Sequence, residues 1–225
     1  MRMWNDFLAP YKQAVVELKV KLKGLRHQYK LEDQHAPVEF VTGRLKPLAS
    51  IYDKTLEKGI PFEPSKELAE EVPDIAGLRI MCQFVDDIGA VVNMLRERKD
   101  MKIVEERDYI SHKKKSGYRS YHMIISYPVQ TIHGEKSVLA EIQIRTLAMN
   151  FWASIEHSLN YKYQGELPDV IRQRLEGAAE AAFRLDEEMS LIRDEIHEAQ
   201  SYFSSFKETE RRDIQDTSWK GDADT

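Results

Sequence analysis

Apolar residues recur along the first thirty positions in alternating steps of four and three: Trp4, Leu8, Tyr11, Val15, Leu18, Leu22, Leu25, Tyr29. This is a heptad seam, and it predicts a long amphipathic helix entered near Pro10 and covering about 10–32. The same period returns towards the other end at Ile171, Leu175, Ala178, Ala182, Leu185, Met189, Ile192, Ile196, Ala199, Phe203 and Phe206. No proline interrupts it, and Pro168 stands where a first-turn proline opens a helix, so a second long helix is predicted over 168–203. Each seam must be buried against the other, or against another subunit. Residues 206–225 are expected to form a frayed tail.

Between the two helices the period shortens to two. Alternation predicts strands over 38–42, 78–84, 102–109, 121–129 and 138–145, with helices over 47–58, 86–99 and 146–163 and a connection rich in proline and glutamate over 59–73. Five strands interleaved with helices give an α/β (α+β) fold with a mixed sheet, not a bundle or a sandwich. One domain is expected over 1–205, with its core over 36–163. Internal repeats and low-complexity blocks are absent from the sequence.

Composition narrows the functional classes. The 225 residues are 42% hydrophobic and 32% charged, a globular balance with room for a large core. A single cysteine, Cys82, excludes an intrachain disulfide and a Cys-rich zinc site, and suits a reducing compartment. Charges run through the first twenty residues, and no stretch approaches the ~18 apolar residues of a membrane span. The expectation is a cytoplasmic protein with no membrane partner. The net charge of −5 argues against a duplex-DNA binder. Basic residues nevertheless concentrate over 12–30 and 107–119, leaving local anion sites open.

Four segments can carry chemistry. In the strand over 138–145, Val138, Ala140, Ile142 and Ile144 share one face while Glu141, Gln143 and Arg145 share the other. That polar set is either a solvated face or a site. Asp74 precedes the strand containing Arg79, and two acids from separate strands are what Mg²⁺ needs when phosphate oxygens and water complete its octahedron. The run from Lys113 through Gly117, Tyr118 and Arg119 to His122 is a basic loop entering a strand; its cations can neutralise phosphate, and its tyrosine can stack on a base. Otherwise it is a lysine-decorated turn. Gly43-Arg44-Leu45-Lys46-Pro47 places two cations at a helix start, where free N–H groups favour anions. The P-loop, GxGxxG, GxSxG and HExxH patterns do not occur.

Together, PVEFVTGRLKPLASIY, DIAGLRIMCQF, SGYRSYHM and VLAEIQIRTLAMNFWASIEHSLNYKY closely resemble the synthetase domain of the RelA/SpoT family, over most of 36–163. The flanking helices are similar to those of its stand-alone small alarmone synthetases, the RelQ type. The resemblance implies a nucleotidyltransferase-like synthetase fold and transfer of pyrophosphate from ATP to the 3′-hydroxyl of GDP or GTP, giving ppGpp or pppGpp and AMP. No hydrolase activity is expected, because the His-Asp dipeptide of the long members' hydrolase is missing. By resemblance, Asp74 and Glu141 hold Mg²⁺, and Glu141 also takes the proton of the attacking hydroxyl. Arg44 and Arg79 lie at adenine, while Lys46 and Ser50 hold ATP phosphates. Tyr118 stacks on guanine, and Lys114, Arg107, His122 and Gln143 position the acceptor.

The basic stripe Lys12, Lys19, Lys23, Arg26, Lys30 is either a solvated face or a second anion site. In RelQ-like enzymes the corresponding cleft lies between subunits and binds pppGpp as an allosteric activator; Lys23, Arg26, Phe40, Thr42 and Asn150 are its candidates here. The resemblance also favours a homotetramer and allows single-stranded RNA as a partner of the stripe. Two rival readings stand beside the synthetase: a nucleotide-sensing or RNA-binding module with little turnover, and a nucleotidyltransferase that releases pyrophosphate. Trp152 is expected in the core, His157 as a positioned polar residue, and Cys82 as an inert buried thiol.

Overall fold

The structure is a computed structural model and describes residues 2–32, 35–163 and 167–218. The first helix, α1 (Arg2–Leu31), begins well before Pro10, which lies inside it. The expected entry at Pro10 is therefore corrected. The apolar seam starts at Trp4, whose ring stacks on Phe62 at 4.6 Å and meets Phe7 edge-on at 5.9 Å, with Phe7 against Tyr11 at 5.4 Å. These contacts hold the first turns helical despite the backbone bond that a proline removes.

The sheet contains β1 (Phe40–Leu45), β2 (Ala76–Cys82), β3 (Lys102–Asp108), β4 (Tyr121–Thr131) and β5 (Gly134–Thr146). They lie in the order β1-β2-β5-β4-β3, with β2 and β5 parallel and the other pairs antiparallel. The predicted mixed five-stranded sheet is present, with shifted edges. β1 starts later than expected and includes Gly43-Arg44-Leu45, because Arg44 pairs with Gly77 and Leu45 with Ala76. Gly43 is required there: a Cβ on it would lie 2.9 Å from Val15 of α1. The β4–β5 hairpin runs through Pro128, paired with Ser137, to a turn at Ile132-His133 closed by Gly134 at φ +96°.

The helices between strands are α2 (Leu48–Lys58), α3 (Lys66–Glu71) and α4 (Val85–Arg96); α5 (Leu147–Lys162) follows β5 directly. Thr146 caps α5 by accepting from the Met149 N–H at 3.1 Å. One hydrophobic core joins Leu18 and Leu22 of α1 to Leu78, Ile80, Ile142, Ile144, Met123 and Ile125 of the sheet and to Ile88, Val91 and Leu95 of α4. Each fully buried aliphatic side chain there contributes about 1.5–3 kcal/mol. Strand alternation then leaves Glu141, Gln143 and Arg145 on the opposite face, as expected.

The last helix, α6, spans Asp169–Ser218, and the chain divides into two compact units, Met1–Asp186 and Glu187–Thr225. In the first unit α6 packs through Ala179 on Trp152 and Ala153, and the Trp152 indole N–H donates to the Leu175 carbonyl at 2.9 Å. In the second, Ile192, Ile196 and Phe203 of the predicted seam are exposed. Of the tail expected over 206–225, residues 206–218 continue α6, and 219–225 lie outside the described residues. Among the described residues no helix is long and apolar enough to cross a membrane.

Candidate active site

Register assembles the site. The β2–β5 pairing sets Gly77 opposite Glu141 and Arg79 opposite Gln143, while the β1–β2 pairing sets Arg44 opposite Gly77 and Thr42 opposite Arg79. Side chains of directly paired residues share a face. Thr42, Gly43, Arg44, Gly77, Leu78, Arg79, Glu141 and Gln143 line one cavity of about 150 Å³, joined by Asp74 from the turn before β2.

Asp74 accepts from Lys46 Nζ at 2.8 Å and from Lys54 Nζ at 3.0 Å. Burial alone would raise its carboxyl, but the two ammonium groups outweigh burial and hold it below its ordinary value. Glu141 accepts from Gln143 Nε2 at 2.8 Å and pairs with His122 Nδ1 at 2.9 Å. For Glu141 too burial works upwards, aided by the Asp74 charge, yet bonding and charge from His122 and the Gln143 bond bring the carboxyl down. Both acids are ionised at neutral pH.

From Glu141 the bonding continues in a closed ring. His122 Nε2 bonds the Tyr118 hydroxyl at 2.8 Å; that hydroxyl also accepts from Arg145, and Arg145 donates to Gln143 Oε1 at 2.8 Å. Arg145 is anchored further by Ser120 Oγ at 3.2 Å. Burial, followed by the charges of Arg145 and Arg44, lowers the Arg79 guanidinium from its usual value. Mutually repelling cations beside two carboxylates leave an unmet demand for anions.

The loop ahead of β4 turns at Gly117, with φ +85° and its N–H donating to the Lys114 carbonyl at 2.8 Å. Lys114 Nζ lies 4.7 Å from the Tyr109 ring and 5.2 Å from the Tyr118 ring. Tyr118 is half-buried, and its hydroxyl is pushed up chiefly by burial.

The structure thus brings Asp74, Glu141, Arg44, Arg79 and Gln143 to one cavity, with Lys46 bonded to Asp74, and His122 and Tyr118 linked to Glu141. Arg107 lies opposite His122 in the β3–β4 register, with its guanidinium 2.6 Å from Glu105. Ser50 is on the first turn of α2 and does not line the cavity. The pair of cations expected at a helix start is separated: Arg44 belongs to β1, and Lys46 alone stands before α2. Thr42, expected at the second site, lines the first cavity. Lys23, Arg26 and Phe40 do converge, on a separate groove of about 360 Å³ with His27 and Glu39, where Arg26 pairs with Glu39 at 2.9 Å. Asn150 lies on α5 outside that groove, its side-chain oxygen buried without a partner.

Sequence reasoning missed Lys54 and left Arg145 without a role. The alternation that singled out Glu141 and Gln143 also marks Arg145; Lys54 carried no comparable signal, since only the packing of α2 brings it to Asp74. Among the described residues no three His, Cys, Asp or Glu side chains cluster as a complete metal cage. Two hard carboxylates at one cavity do fit a cation such as Mg²⁺ that draws its other ligands from phosphate and water, and Asp74 and Glu141 are the residues that would hold it.

Paired acids beside a band of cations, on the polar face of a mixed sheet, suit a protein that binds metal-chelated polyphosphate. The model of the region found in RelA/SpoT proteins matches residues 43–166. GTP pyrophosphokinase YjbM of Bacillus subtilis is 62% identical over 206 residues, covering 92% of this chain and 96% of that protein. GTP pyrophosphokinase YwaC of the same organism is 42% identical, covering 87% and 93%. The crystal structure of B. subtilis small alarmone synthetase 1 bound to its product pppGpp superposes with a TM-score of 0.83 at 62% identity, covering 87% of this chain and 99% of that one. The same enzyme bound to AMPCPP gives 0.77 at 59% identity, covering 88% and 100%. The chain belongs to the RelA/SpoT family, among its small alarmone synthetases.

Proposed function

We propose that the chain is a GTP pyrophosphokinase that moves the β,γ-pyrophosphate of ATP to the 3′-hydroxyl of GDP or GTP. The observation that carries this reading is the continuous path from the ionised Glu141, through His122, to the Tyr118 hydroxyl, beside a cavity that Glu141 shares with Asp74 and two arginines. The acceptor O3′ attacks the β-phosphorus, the bond from that phosphorus to the α-phosphate oxygen breaks, AMP leaves with that oxygen, and the hydroxyl proton passes to a Glu141 oxygen. The low basicity of Glu141 suits transfer late, as the new P–O bond acidifies the hydroxyl. Mg²⁺ held by Asp74 and Glu141 would neutralise charge on the polyphosphate.

The remaining residues align and neutralise, which is where most catalysis of such transfers lies. Arg44 and Arg79 flank adenine; Lys46 and Lys54, released from Asp74, and Ser50 take ATP phosphates. Tyr118 stacks on guanine, while Lys114, Arg107, His122 and Gln143 hold the acceptor. The groove of Lys23, Arg26 and Phe40 serves a product-like activator such as pppGpp, with Asn150 joining it from a second copy when copies assemble, while Thr42 lines the first cavity. The exposed apolar side chains Phe151, Ile155 and Leu159 of α5, and Ile192 and Ile196 of α6, support a homo-oligomer, the tetramer of RelQ-like enzymes. A cytoplasmic setting fits these substrates. A binding-only module is less well supported, because it has no use for two ionised carboxylates beside polyphosphate.

The test is incubation of the purified protein with Mg²⁺, GDP or GTP and ATP labelled in parallel reactions at the γ- or the α-phosphorus. Label in a guanosine product, with α-label retained in AMP, supports pyrophosphate transfer. α-Label in the product indicates nucleotidyl transfer instead, and no labelled product with or without added pppGpp indicates a binding module.

A further inference from the structure

The loop that carries Lys114 and Tyr118 is not free-standing. Its two flanks are held by one carboxylate of α6: Glu180 Oε2 accepts from Lys113 Nζ at 2.9 Å and from Arg119 Nη2 at 3.2 Å. Arg119 is buried, its guanidinium carbon lies 3.9 Å from the Phe183 ring centre, and its Nε and Nη1 have no hydrogen-bond partner. Glu180 is thus the carboxylate that answers a desolvated cation, and its loss leaves that charge uncompensated. Between the flanks, Gly117 sits so close to α6 that a Cβ on it would lie 2.6 Å from that of Ala179 and 3.5 Å from the Glu176 backbone. Glu176, Ala179, Glu180 and Phe183 therefore form a seat on one face of α6 into which the loop fits, with glycine at its narrowest point.

We infer that Glu180 is a positioning residue for the acceptor nucleotide: by clamping Lys113 and Arg119 to α6 it holds Tyr118 and Lys114 in the geometry that receives the guanine nucleotide. This rests on the proposed function for the identity of the acceptor, whereas the clamp itself stands on contacts alone. Its signature is selective. An unclamped loop must be ordered at the moment of binding, so the acceptor binds more weakly, while ATP, which meets Arg44, Arg79 and Lys46 on other elements, is unaffected.

The experiment pairs Glu180→Gln with steady-state kinetics and with amide hydrogen exchange of the nucleotide-free protein. The expected result is an acceptor KM raised about tenfold, with kcat and the ATP KM within about twofold, and faster exchange confined to 113–119. A second variant, Gly117→Ala, unseats the loop both by contact with Ala179 and by placing a Cβ at φ +85°, and should shift the same two readouts; adding Ala179→Gly relieves only the contact and should recover that part of the loss. An unchanged acceptor KM, a fall in kcat alone, or exchange that speeds up across the whole sheet overturns the inference. If wild-type protein transfers no label to any guanosine acceptor, the pyrophosphokinase reading fails and the acceptor role of Glu180 fails with it; unchanged exchange at 113–119 beside an active wild type defeats the clamp alone.

Discussion

Replacing Glu141 by glutamine separates its chemistry from its place in the fold. The side chain keeps its length, and the amide oxygen can still accept one of the two bonds now made by His122 at 2.9 Å and Gln143 at 2.8 Å. One lost bond costs about 1 kcal/mol, and removal of a negative charge that opposes Asp74 offsets part of it. The variant is expected to melt within a few degrees of wild type. Turnover loses the proton acceptor, a factor on the order of 10²–10⁴, or about 3–5 kcal/mol of transition-state stabilisation. Alignment and charge neutralisation by the other residues supply what remains.

At saturating Mg²⁺ the part of the loss that belongs to proton acceptance falls on kcat and leaves the acceptor KM within about threefold, whereas the Mg²⁺ needed for half-maximal rate rises, because Glu141 would also hold the cation. The pH profile gives a second check. The folded-state carboxyl lies below 4.5, so the stability it contributes is present above 4.5 and is lost as pH falls through the lowered value. Glu141 is then fully ionised above about pH 6, and an inflection in kcat there belongs to another group. The assay is formation of labelled guanosine product from γ-labelled ATP, with a melting curve on the same sample. A folded variant that retains more than a tenth of wild-type turnover refutes the role of proton acceptor.

Three other outcomes follow from the same contacts. Chelation should abolish turnover and Mg²⁺ should restore it; Asp74→Asn should raise the Mg²⁺ needed for half-maximal rate by about tenfold or more, measured by titration at saturating ATP. Asp186, bonded to Thr146 and pushed up to about 6 by burial, makes folding less stable as pH rises from 3.8 towards 6. Asp186→Asn should therefore stabilise at pH 8 by about 1–2 kcal/mol, allowing for solvent screening, and be nearly neutral below pH 4; urea unfolding at both pH values checks this. Cys82, buried with its thiol pushed up by desolvation, should react with a thiol reagent only after unfolding, and prompt labelling of native protein would contradict that burial.

The elements and the chemistry were legible at different depths. A period of two across 138–145 was enough to put Glu141, Gln143 and Arg145 on one face, because strand side chains alternate whatever surrounds them. The heptad seams announced both long helices for the same local reason. Boundaries were less legible where a special residue had a tertiary cause: Gly43 read as a loop but lies in β1 beneath Val15, and Pro10 read as a helix start but lies inside α1.

The strands, the polar face of the last one and the family motifs could be read along the chain, because they depend on short-range periodicity or on residue identity. Tertiary structure decided which residues meet. The parallel register of β2 on β5 brings Asp74 and Glu141 to one cavity, the packing of α2 delivers Lys54, and the β4–β5 register closes the ring from Tyr118 to Arg145. The seat of the loop over 113–119 on α6 joins positions far apart in the chain, Lys113 and Glu180 being separated by 67 residues. Such contacts follow from strand pairing and packing between distant segments, which no local pattern of apolar and polar residues encodes.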